Sequence, residues 1–440
     1  SILSLYLSAF HFFVVTLQPH NISKEGMYKR TIDNRWSFKD ADTKEFTHCY
    51  HAYPAMMIPQ VARALIEEYR PEDGVELLFD PYMGSGTSLV EASIKGINAI
   101  GTDLNPLARL MSHVKTTHYD LSCIRDTFSM MQALFFEYSE DKVKNKNFDN
   151  ISNYTYWYSR DSLLRLSYIY QVINECVALD FADFFKVPLS ETVREVSFTR
   201  NGEFKRFRMK EEKIKDFKPD VFRLFEEKVI RNINGLEEFN SIKYPCNIGI
   251  YDFNSTIEIP SDIIQPNSVD MVVTSPPYGD SRTTVAYGQF SRWANEWFNF
   301  ENAKTLDNLL MGGRVQKEEL FETKSIKSEL DEIKSIDPKR NLEVVSFLND
   351  YSCSIKNVAS VIKSGGVVCY VVGNRTVKGV QIPLDYFTAE MFEKNGFTHI
   401  DTIVREIPNK RMPSKTSPTN VAGKKVSTMC NEYIVILEKK

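Results

Sequence analysis

Hydrophobic and polar positions along the chain alternate between two spacings, and the changes of spacing predict a sheet with intervening helices. Apolar residues recur at helical spacing over 57–69, with Pro59 near the first turn. An apolar run at Val75–Phe79, a glycine-rich turn, a helix over Ser88–Lys95 and a second strand over Asn98–Thr102 follow. This strand–helix–strand start predicts an α/β fold with a parallel sheet.

The alternation is interrupted and then resumes. Residues 117–246 have helical stretches rich in aromatic and charged residues, and strand patterns return at 246–254 and 269–278. A polar stretch, a helix, a strand, another helix and two closing strands complete the chain. We therefore predict an N-terminal extension (1–46), one α/β domain in two parts (47–116 and 247–440), a large insert (117–246) and a smaller insert at about 300–340.

Composition narrows the class of protein. The chain has 440 residues, of which 42 % are hydrophobic and 25 % charged, and a net charge of −4, which is globular composition and not that of a uniformly basic binder. Seven scattered cysteines without a C-x-x-C pair fit neither a disulfide framework nor a zinc site, and favour a reducing cytosol. The apolar segment within residues 1–21 is too short for a membrane-spanning helix, and we assign it no function.

A glycine turn follows the first strand of the sheet. In "FDPYMGSGT" (79–87), Gly84 and Gly86 allow a ligand to approach the backbone closely, and Asp103 ends the next strand, where a carboxylate can bind both hydroxyls of a ribose. Leu89 breaks the dinucleotide fingerprint, and no P-loop lysine follows. Asp80 beside the turn can hold an ammonium, which nicotinamide cofactors lack. An ordinary turn remains the alternative; with Asp103, the pattern favours an adenosine-containing cofactor.

Three segments together resemble one enzyme family. "DPYMGSGT" (80–87) resembles the cofactor motif of S-adenosylmethionine-dependent DNA methyltransferases that modify exocyclic amino groups, and "TSPPY" (274–278) resembles their catalytic motif. "HAYPAMMIPQVARALI" (51–66) is similar to the family segment that closes over the methionine end of the cofactor. The resemblance covers about 47–116 and 247–440. It implies a Rossmann-like fold whose mostly parallel seven-stranded sheet has an antiparallel last strand.

The resemblance also implies partners and site residues. The cofactor motif comes before the catalytic motif, which resembles the α group, whose central insert recognises the target. Implied are S-adenosylmethionine, double-stranded DNA, a cognate restriction endonuclease and a bacterial or archaeal cytoplasm, with neither metal nor membrane. Asp252 is expected to bind the adenine amine of the cofactor, unless it merely caps a loop, and Phe253 to pack on the adenine. The cofactor-binding residues are predicted to be Tyr53, Pro54, Ala55, Asp80, Pro81, Gly84, Ser85, Gly86, Thr87, Asp103, Asn105, Asp252 and Phe253.

The catalytic residues are predicted to be Ser275, Pro276, Pro277 and Tyr278. The lone pair of an exocyclic amine is delocalised into the base, so the enzyme must accept hydrogen bonds from the amine as the methyl group arrives. Proline fixes φ and has no N–H, so the corner presents the Pro276 carbonyl and the Ser275 hydroxyl as acceptors. Tyr278 offers a face for an extruded base. A plain Pro-Pro turn after an edge strand is the alternative.

Serine before the prolines is typical, within the family, of cytosine-N4 enzymes, whereas aspartate or asparagine is typical of adenine-N6 enzymes. We therefore expect a cytosine-N4 methyltransferase; an adenine-N6 enzyme and a non-catalytic DNA-binding protein on the same fold remain alternatives. Cytosine C5 chemistry would need a cysteine after the catalytic strand. Cys246 precedes a different strand and is interpreted as an ordinary half-buried residue.

DNA contacts are predicted from basic residues near these motifs. The insert holds "RNGEFKRFRMK" (200–210), in which basic and aromatic residues alternate, although a solvated hairpin arm explains it nearly as well. Basic residues also follow the catalytic corner and lie in a proline-broken C-terminal segment. The predicted DNA-binding residues are Arg206, Arg208, Arg282, Arg292, Lys410, Arg411 and Lys415.

Overall fold

The computed structural model describes residues 26–200, 204–280, 284, 286–407, 415–416, 426–427 and 431–440. Its strands are β1 (Arg30–Ile32), β2 (Leu77–Asp80), β3 (Asn98–Thr102), β4 (Ile248–Tyr251), β5 (Val269–Thr274), β6 (Ile362–Val372), β7 (Thr376–Val377), β8 (Val380–Gln381), β9 (Phe397–Glu406), β10 (Lys415–Thr416), β11 (Val426–Ser427) and β12 (Asn431–Lys439). Its helices are α1 (Pro59–Glu68), α2 (Thr87–Ile94), α3 (Pro106–Thr116), α4 (Leu121–Phe136), α5 (Tyr154–Trp157), α6 (Arg160–Cys176), α7 (Leu179–Glu195), α8 (Glu211–Asp216), α9 (Val221–Asn240), α10 (Tyr287–Trp297), α11 (Lys327–Ile336), α12 (Pro338–Val361) and α13 (Leu384–Glu393).

The main sheet has the strand order β1-β9-β12-β6-β5-β2-β3-β4. Strand β12 runs antiparallel to both of its neighbours, and every other neighbouring pair is parallel. The predicted α/β fold, with a mostly parallel sheet and an antiparallel last strand, is confirmed. None of the helices in the described ranges combines the length and the apolarity needed to cross a bilayer.

The predicted number of seven strands is wrong for this sheet, because β1 adds an eighth at the edge beside β9. The strand has only three residues, and polar side chains anchor it. Arg30 donates to both carboxylate oxygens of buried Asp385, at 2.8 and 2.9 Å, and lies over the Tyr386 ring. A strand held by such a long-range ion pair has no local hydrophobic pattern by which the sequence reveals it.

Strand β5 lies in the centre of the sheet, between β2 and β6, as its apolar sequence predicts. All six of its residues are buried, and successive side chains face opposite layers. Val272 joins the core under α12 and α13, while Met271 and Val273 join the core under α1 and α2. The rigid central strand therefore ends directly in the serine–proline corner.

The insert region contains α4 to α9, packed around an aromatic core that includes Phe184 and Phe225. This core continues into α3 and α10 of the sheet-containing region, through Leu107 and Trp293. The 3-10 helix Phe46–Tyr50 and the residues after it lie between the two regions. On the sheet side, Thr47 Oγ1 donates to the Lys115 carbonyl at 2.8 Å.

On the insert side, the same segment contacts α7 and α9. His51 Nε2 lies 3.1 Å from Ser190 Oγ, and Arg231 Nη2 donates to the Tyr50 carbonyl at 2.7 Å. Residues 46–53 are therefore held by partners from both regions.

Candidate active site

The glycine bend and the serine–proline corner lie at one cavity. Strands β2 and β5 are parallel neighbours, so their carboxyl ends meet at the same edge of the sheet, where ligands bind in open α/β folds. The cavity is lined by Asp80 and Gly84 after β2, by Asp103 after β3, and by Ser275 and Pro277 after β5. The parallel register of the sheet thus brings together the two sequence motifs.

The two glycines of the bend have different roles. Gly84 (φ +48°) lines the cavity, and a Cβ added to it would meet only Tyr53 Cε1, at 3.8 Å. Gly86 (φ +81°) does not line the cavity; a Cβ there would lie 2.8 Å from Ser112 Oγ and 3.0 Å from Ser112 Cα. Gly84 therefore leaves the backbone open to a ligand, whereas Gly86 allows α2 to pack closely against α3.

Two acidic side chains face the cavity from neighbouring strand ends. Asp80 accepts hydrogen bonds from the Tyr82 N–H at 3.1 Å and from Thr274 Oγ1 at 2.5 Å. Asp103 accepts from the N–H groups of Gly84 and Asn105, at 3.1 and 2.8 Å. Burial raises the pKa of each carboxyl to about 6, against these hydrogen bonds, which favour the charged form.

An aromatic wall closes one side of the cavity. The Tyr53 ring stacks on that of Tyr287, with centroids 5.8 Å apart and planes at 27°, and both residues line the cavity. Asn105 Nδ2 donates to Tyr53 Oη at 2.9 Å and to Ser291 Oγ at 2.7 Å, while Asn105 Oδ1 caps α3 through the Leu107 N–H. Asn105 thus orients the aromatic wall and also caps the start of α3.

The serine–proline corner is fixed by hydrogen bonds to two strands. Ser275 Oγ lies 3.1 Å from the Val371 carbonyl of β6, to which it donates, and 3.2 Å from Tyr278 Oη. Tyr278 Oη donates to Glu432 Oε1 of β12 at 3.0 Å. Burial, followed by the nearby Glu432 charge, raises the pKa of Tyr278 well above its usual value. Of the four predicted catalytic residues, Ser275 and Pro277 line the cavity, whereas buried Pro276 and half-buried Tyr278 do not.

Comparison with known proteins identifies the family. The chain is 40 % identical over 445 residues to the type II methyltransferase M.MvaI of Kocuria varians, a match that covers 95 % of this chain and 97 % of that protein. The chain belongs to the type II DNA methyltransferases. These are the modification enzymes of restriction–modification systems. No protein-family model matches the chain.

More distant similarities exist as well. The methyltransferase is 23 % identical over 359 residues to the type II methyltransferase M.MjaII of Methanocaldococcus jannaschii, covering 63 % of this chain and 66 % of that one. Among solved structures, the rRNA methyltransferase AviRa of Streptomyces viridochromogenes is 10 % identical, with a TM-score of 0.31 and 88 % of each chain covered. TrmN of Thermus thermophilus is also 10 % identical, with a TM-score of 0.27, covering 87 % of this chain and 49 % of that one.

Most residues predicted to bind the cofactor line the cavity of this methyltransferase. Asp252 and Gly86 do not: Asp252 is exposed, while the next residues, Phe253 and Asn254, line the cavity instead. The predicted cofactor residues among the lining are Tyr53, Pro54, Ala55, Asp80, Pro81, Gly84, Ser85, Thr87, Asp103, Asn105 and Phe253.

Tyr287 and Glu432 are among the residues at the site that sequence reasoning missed. Tyr287 lies in the first turn of α10, nine residues after Tyr278, and Glu432 lies on the last strand. The amphipathic pattern of "YGQFSRW" was the one signal that α10 has a buried face, whereas nothing local relates Glu432 to the corner.

The residues predicted to bind DNA are not gathered at one place in the described part of the chain. Arg282, Lys410 and Arg411 lie outside the described residues, and Lys415 lies in the short strand β10. Arg208 forms an ion pair with Glu211 and donates to the Tyr156 carbonyl at 2.9 Å. These contacts lie within the insert.

Arg206 and Arg292 lie where the insert meets α10. The Arg206 guanidinium is 5.7 Å from the Trp157 ring centroid and 5.3 Å from that of Trp293, and Arg292 donates to the Lys304 carbonyl at 3.0 Å. Burial, and then the charge of Arg292, lowers the pKa of Arg206. The predicted hairpin arm has its base at the antiparallel bridge Thr199–Arg208, and its tip at 201–203 lies outside the described residues.

Proposed function

We propose that this methyltransferase transfers a methyl group from S-adenosylmethionine to the exocyclic N4 amine of cytosine in double-stranded DNA, after the base has been extruded from the helix. The observation that carries the proposal is the hydrogen-bonding state of Ser275, which lines the cavity. A serine hydroxyl has one hydrogen to donate and two lone pairs that accept.

Both hydroxyl hydrogens of the corner already have acceptors within the protein. The Ser275 hydrogen has the Val371 carbonyl as its acceptor at 3.1 Å, and the Tyr278 hydrogen has Glu432 at 3.0 Å. Ser275 Oγ is then left as an acceptor toward the cavity. An amine that carries two hydrogens and a delocalised lone pair needs such an acceptor, because the hydrogen bond draws its nitrogen toward tetrahedral geometry as the methyl group arrives.

The other polar and aromatic residues of the cavity suit the donor of the methyl group. S-adenosylmethionine, when bound, supplies an electrophilic methyl group on a cationic sulfonium. Asp80 and Asp103 place two carboxylates there, of which one suits an ammonium and the other a ribose diol, and Gly84 leaves the backbone uncovered. Phe253 and the pair of Tyr53 and Tyr287 give the apolar surface that an adenine and a methionine chain require.

The proposed reaction also implies two partners, double-stranded DNA and a restriction endonuclease. Extrusion of a base costs a few kcal/mol, which stacking in the pocket offsets in part, and we assign the stacking face to Tyr278. Arg206, Arg208 and Arg292, with Arg282, Lys410, Arg411 and Lys415, remain proposed contacts to DNA. The methylated site would be protected from a cognate restriction endonuclease.

Nucleoside mass spectrometry tests the proposal directly. DNA is incubated with the purified chain and S-adenosylmethionine that carries a tritiated methyl group, then digested to nucleosides. We expect label in N4-methyldeoxycytidine. Label in N6-methyldeoxyadenosine would overturn the assignment of the base, and absence of label from DNA, with cofactor binding intact, would overturn the enzymatic role. The same assay is applied to Ser275→Ala, which lacks the proposed acceptor. Its matched control is Ser335→Ala, at an exposed helical serine far along the chain from the corner.

A further inference from the structure

Glu432 connects the serine–proline corner to the neighbouring strand β9. It stands at the start of β12, directly across from Arg405 of β9 in the strand register. Glu432 Oε1 accepts the Tyr278 hydroxyl at 3.0 Å, and Glu432 Oε2 forms an ion pair with Arg405. Arg405 is itself only 3 % exposed and donates through Nε to the Trp36 carbonyl at 2.8 Å. The carboxylate is thereby held in one orientation.

The direction of two hydrogen bonds at the corner depends on this carboxylate. The Tyr278 hydrogen has two acceptors within reach: Glu432 Oε1 at 3.0 Å and Ser275 Oγ at 3.2 Å. A hydrogen bond to an ionised carboxylate is about twice as strong as one between neutral groups, so the hydrogen goes to Glu432. Tyr278 then does not donate to Ser275.

We propose that Glu432 is a positioning residue for methyl transfer, which holds the Tyr278 hydroxyl hydrogen away from Ser275 and so keeps Ser275 Oγ free to accept from the target amine. This inference rests on the proposed function. It requires no contact between Glu432 and the substrate, since the carboxylate acts through the Tyr278 hydroxyl.

Glu432→Gln reverses this arrangement with little change of shape. The guanidinium of Arg405 has only donors, so the glutamine must turn its carbonyl oxygen toward Arg405. Its NH₂ group then faces Tyr278 Oη and donates to it. The Tyr278 hydrogen, displaced, turns to Ser275 Oγ at 3.2 Å and occupies one of its two lone pairs. The substitution therefore weakens the acceptor while it preserves the contact between β12 and β9.

A double-mutant cycle with Tyr278→Phe separates this role from a purely structural one. Phenylalanine removes the hydroxyl, so no hydrogen remains for Glu432 to orient. We expect Glu432→Gln to lower kcat about tenfold, the effect of one weakened hydrogen bond, and to leave KM for S-adenosylmethionine unchanged within about twofold. In the Tyr278→Phe background, Glu432→Gln should cause no further loss of rate. Single-turnover measurements with enzyme in excess extend the range for slow variants.

Each outcome of the cycle decides something. A Glu432→Gln enzyme with the wild-type rate, or losses that simply multiply in the double variant, would overturn the inference. So would a fall in melting temperature with a parallel loss of cofactor affinity, which would assign Glu432 to the pairing of β12 with β9. Glu438→Gln, at an exposed position near the other end of β12, is the matched control and should behave as wild type. Should the wild-type chain itself fail to methylate DNA, the proposed function fails instead.

Discussion

The guanidinium of Arg375 occupies the space beside Gly279, so that a Cβ on this glycine would lie 1.7 Å from Arg375 Nη1. Gly279 follows Tyr278 in the chain, and the next residue, buried Asp280, forms ion pairs with Arg375 at 3.2 Å and with Arg340 at 3.4 Å. The serine–proline corner is thus followed directly by a buried ionic cluster that fixes the path of its backbone.

Gly279→Ala should therefore damage catalysis through the position of the corner. The Cβ of the new alanine must displace either the corner or Arg375. A displaced Arg375 would pair less well with buried Asp280. We expect kcat to fall by about 10²-fold, as a misplacement of about 1 Å does in active sites. Steady-state kinetics with a thermal melt checks this; a Gly279→Ala enzyme with wild-type kcat would contradict the tight packing seen here.

Ser275→Ala should separate binding from chemistry. Alanine removes the proposed acceptor at Ser275 but leaves Asp80, Gly84 and Asp103 in place. We expect kcat to fall by about 10²-fold, as for the loss of one preorganised hydrogen bond in an active site, while the Kd for S-adenosylmethionine is unchanged. Calorimetric binding and single-turnover methylation measure the two quantities, and a variant that lost binding in proportion to rate would count against the acceptor role.

The raised pKa values of Asp80 and Asp103 predict how cofactor binding depends on pH. Both carboxyls are half protonated at about pH 6 in the cofactor-free protein, and a cationic cofactor favours their charged forms. We expect affinity for S-adenosylmethionine to increase as the pH rises from about 5 to 7, with release of protons on binding. Titration calorimetry in two buffers of different ionisation enthalpy counts those protons. Affinity that is flat across this range would contradict the prediction.

The same pKa values set the sign of a stability effect. A carboxyl whose pKa is raised from 3.8 to about 6 by folding binds more protons in the folded state. The contribution of this carboxyl to the free energy of unfolding is therefore most favourable below about pH 4 and is lost as the pH rises to about 6. Asp103→Asn should flatten this part of the stability profile of the cofactor-free chain, as measured by chemical denaturation.

Gly86→Ala should destabilise the fold more than a matched glycine substitution does. Gly86 and Gly396 have similar conformations, with φ of +81° and +86°, but only Gly86 has Ser112 within 3.0 Å of an added Cβ. Gly396→Ala should cost about 1 kcal/mol of stability through backbone strain alone, and Gly86→Ala about 1–3 kcal/mol more because α2 and α3 must separate. Denaturant unfolding compares the two; equal losses would show that Ser112 moves aside freely.

Elements with a strong local pattern were predictable from the sequence, and long-range pairings were not. The strand Asn98–Thr102 and the central position of β5 follow from their apolar runs, and the meeting of the two motifs follows from parallel order. Strand β1 is anchored by Asp385, which lies far along the chain. Glu432 contacts Tyr278, which follows a different strand of the sheet. Asp252 illustrates a finer limit, since the side chains of a short strand end alternate in direction and a shift of one residue turns an acid away from the cavity.

The segment 46–53, which is clamped between Lys115 on one side and Ser190 and Arg231 on the other, affects how such enzymes can be re-engineered. Transplanting the region 117–246 from a relative would also replace the partners of Tyr50 and His51, which come just before Tyr53 in the chain. A chimera of this kind therefore needs residues 46–53 taken from the same parent as the transplanted helices, because the two have to be exchanged as one unit.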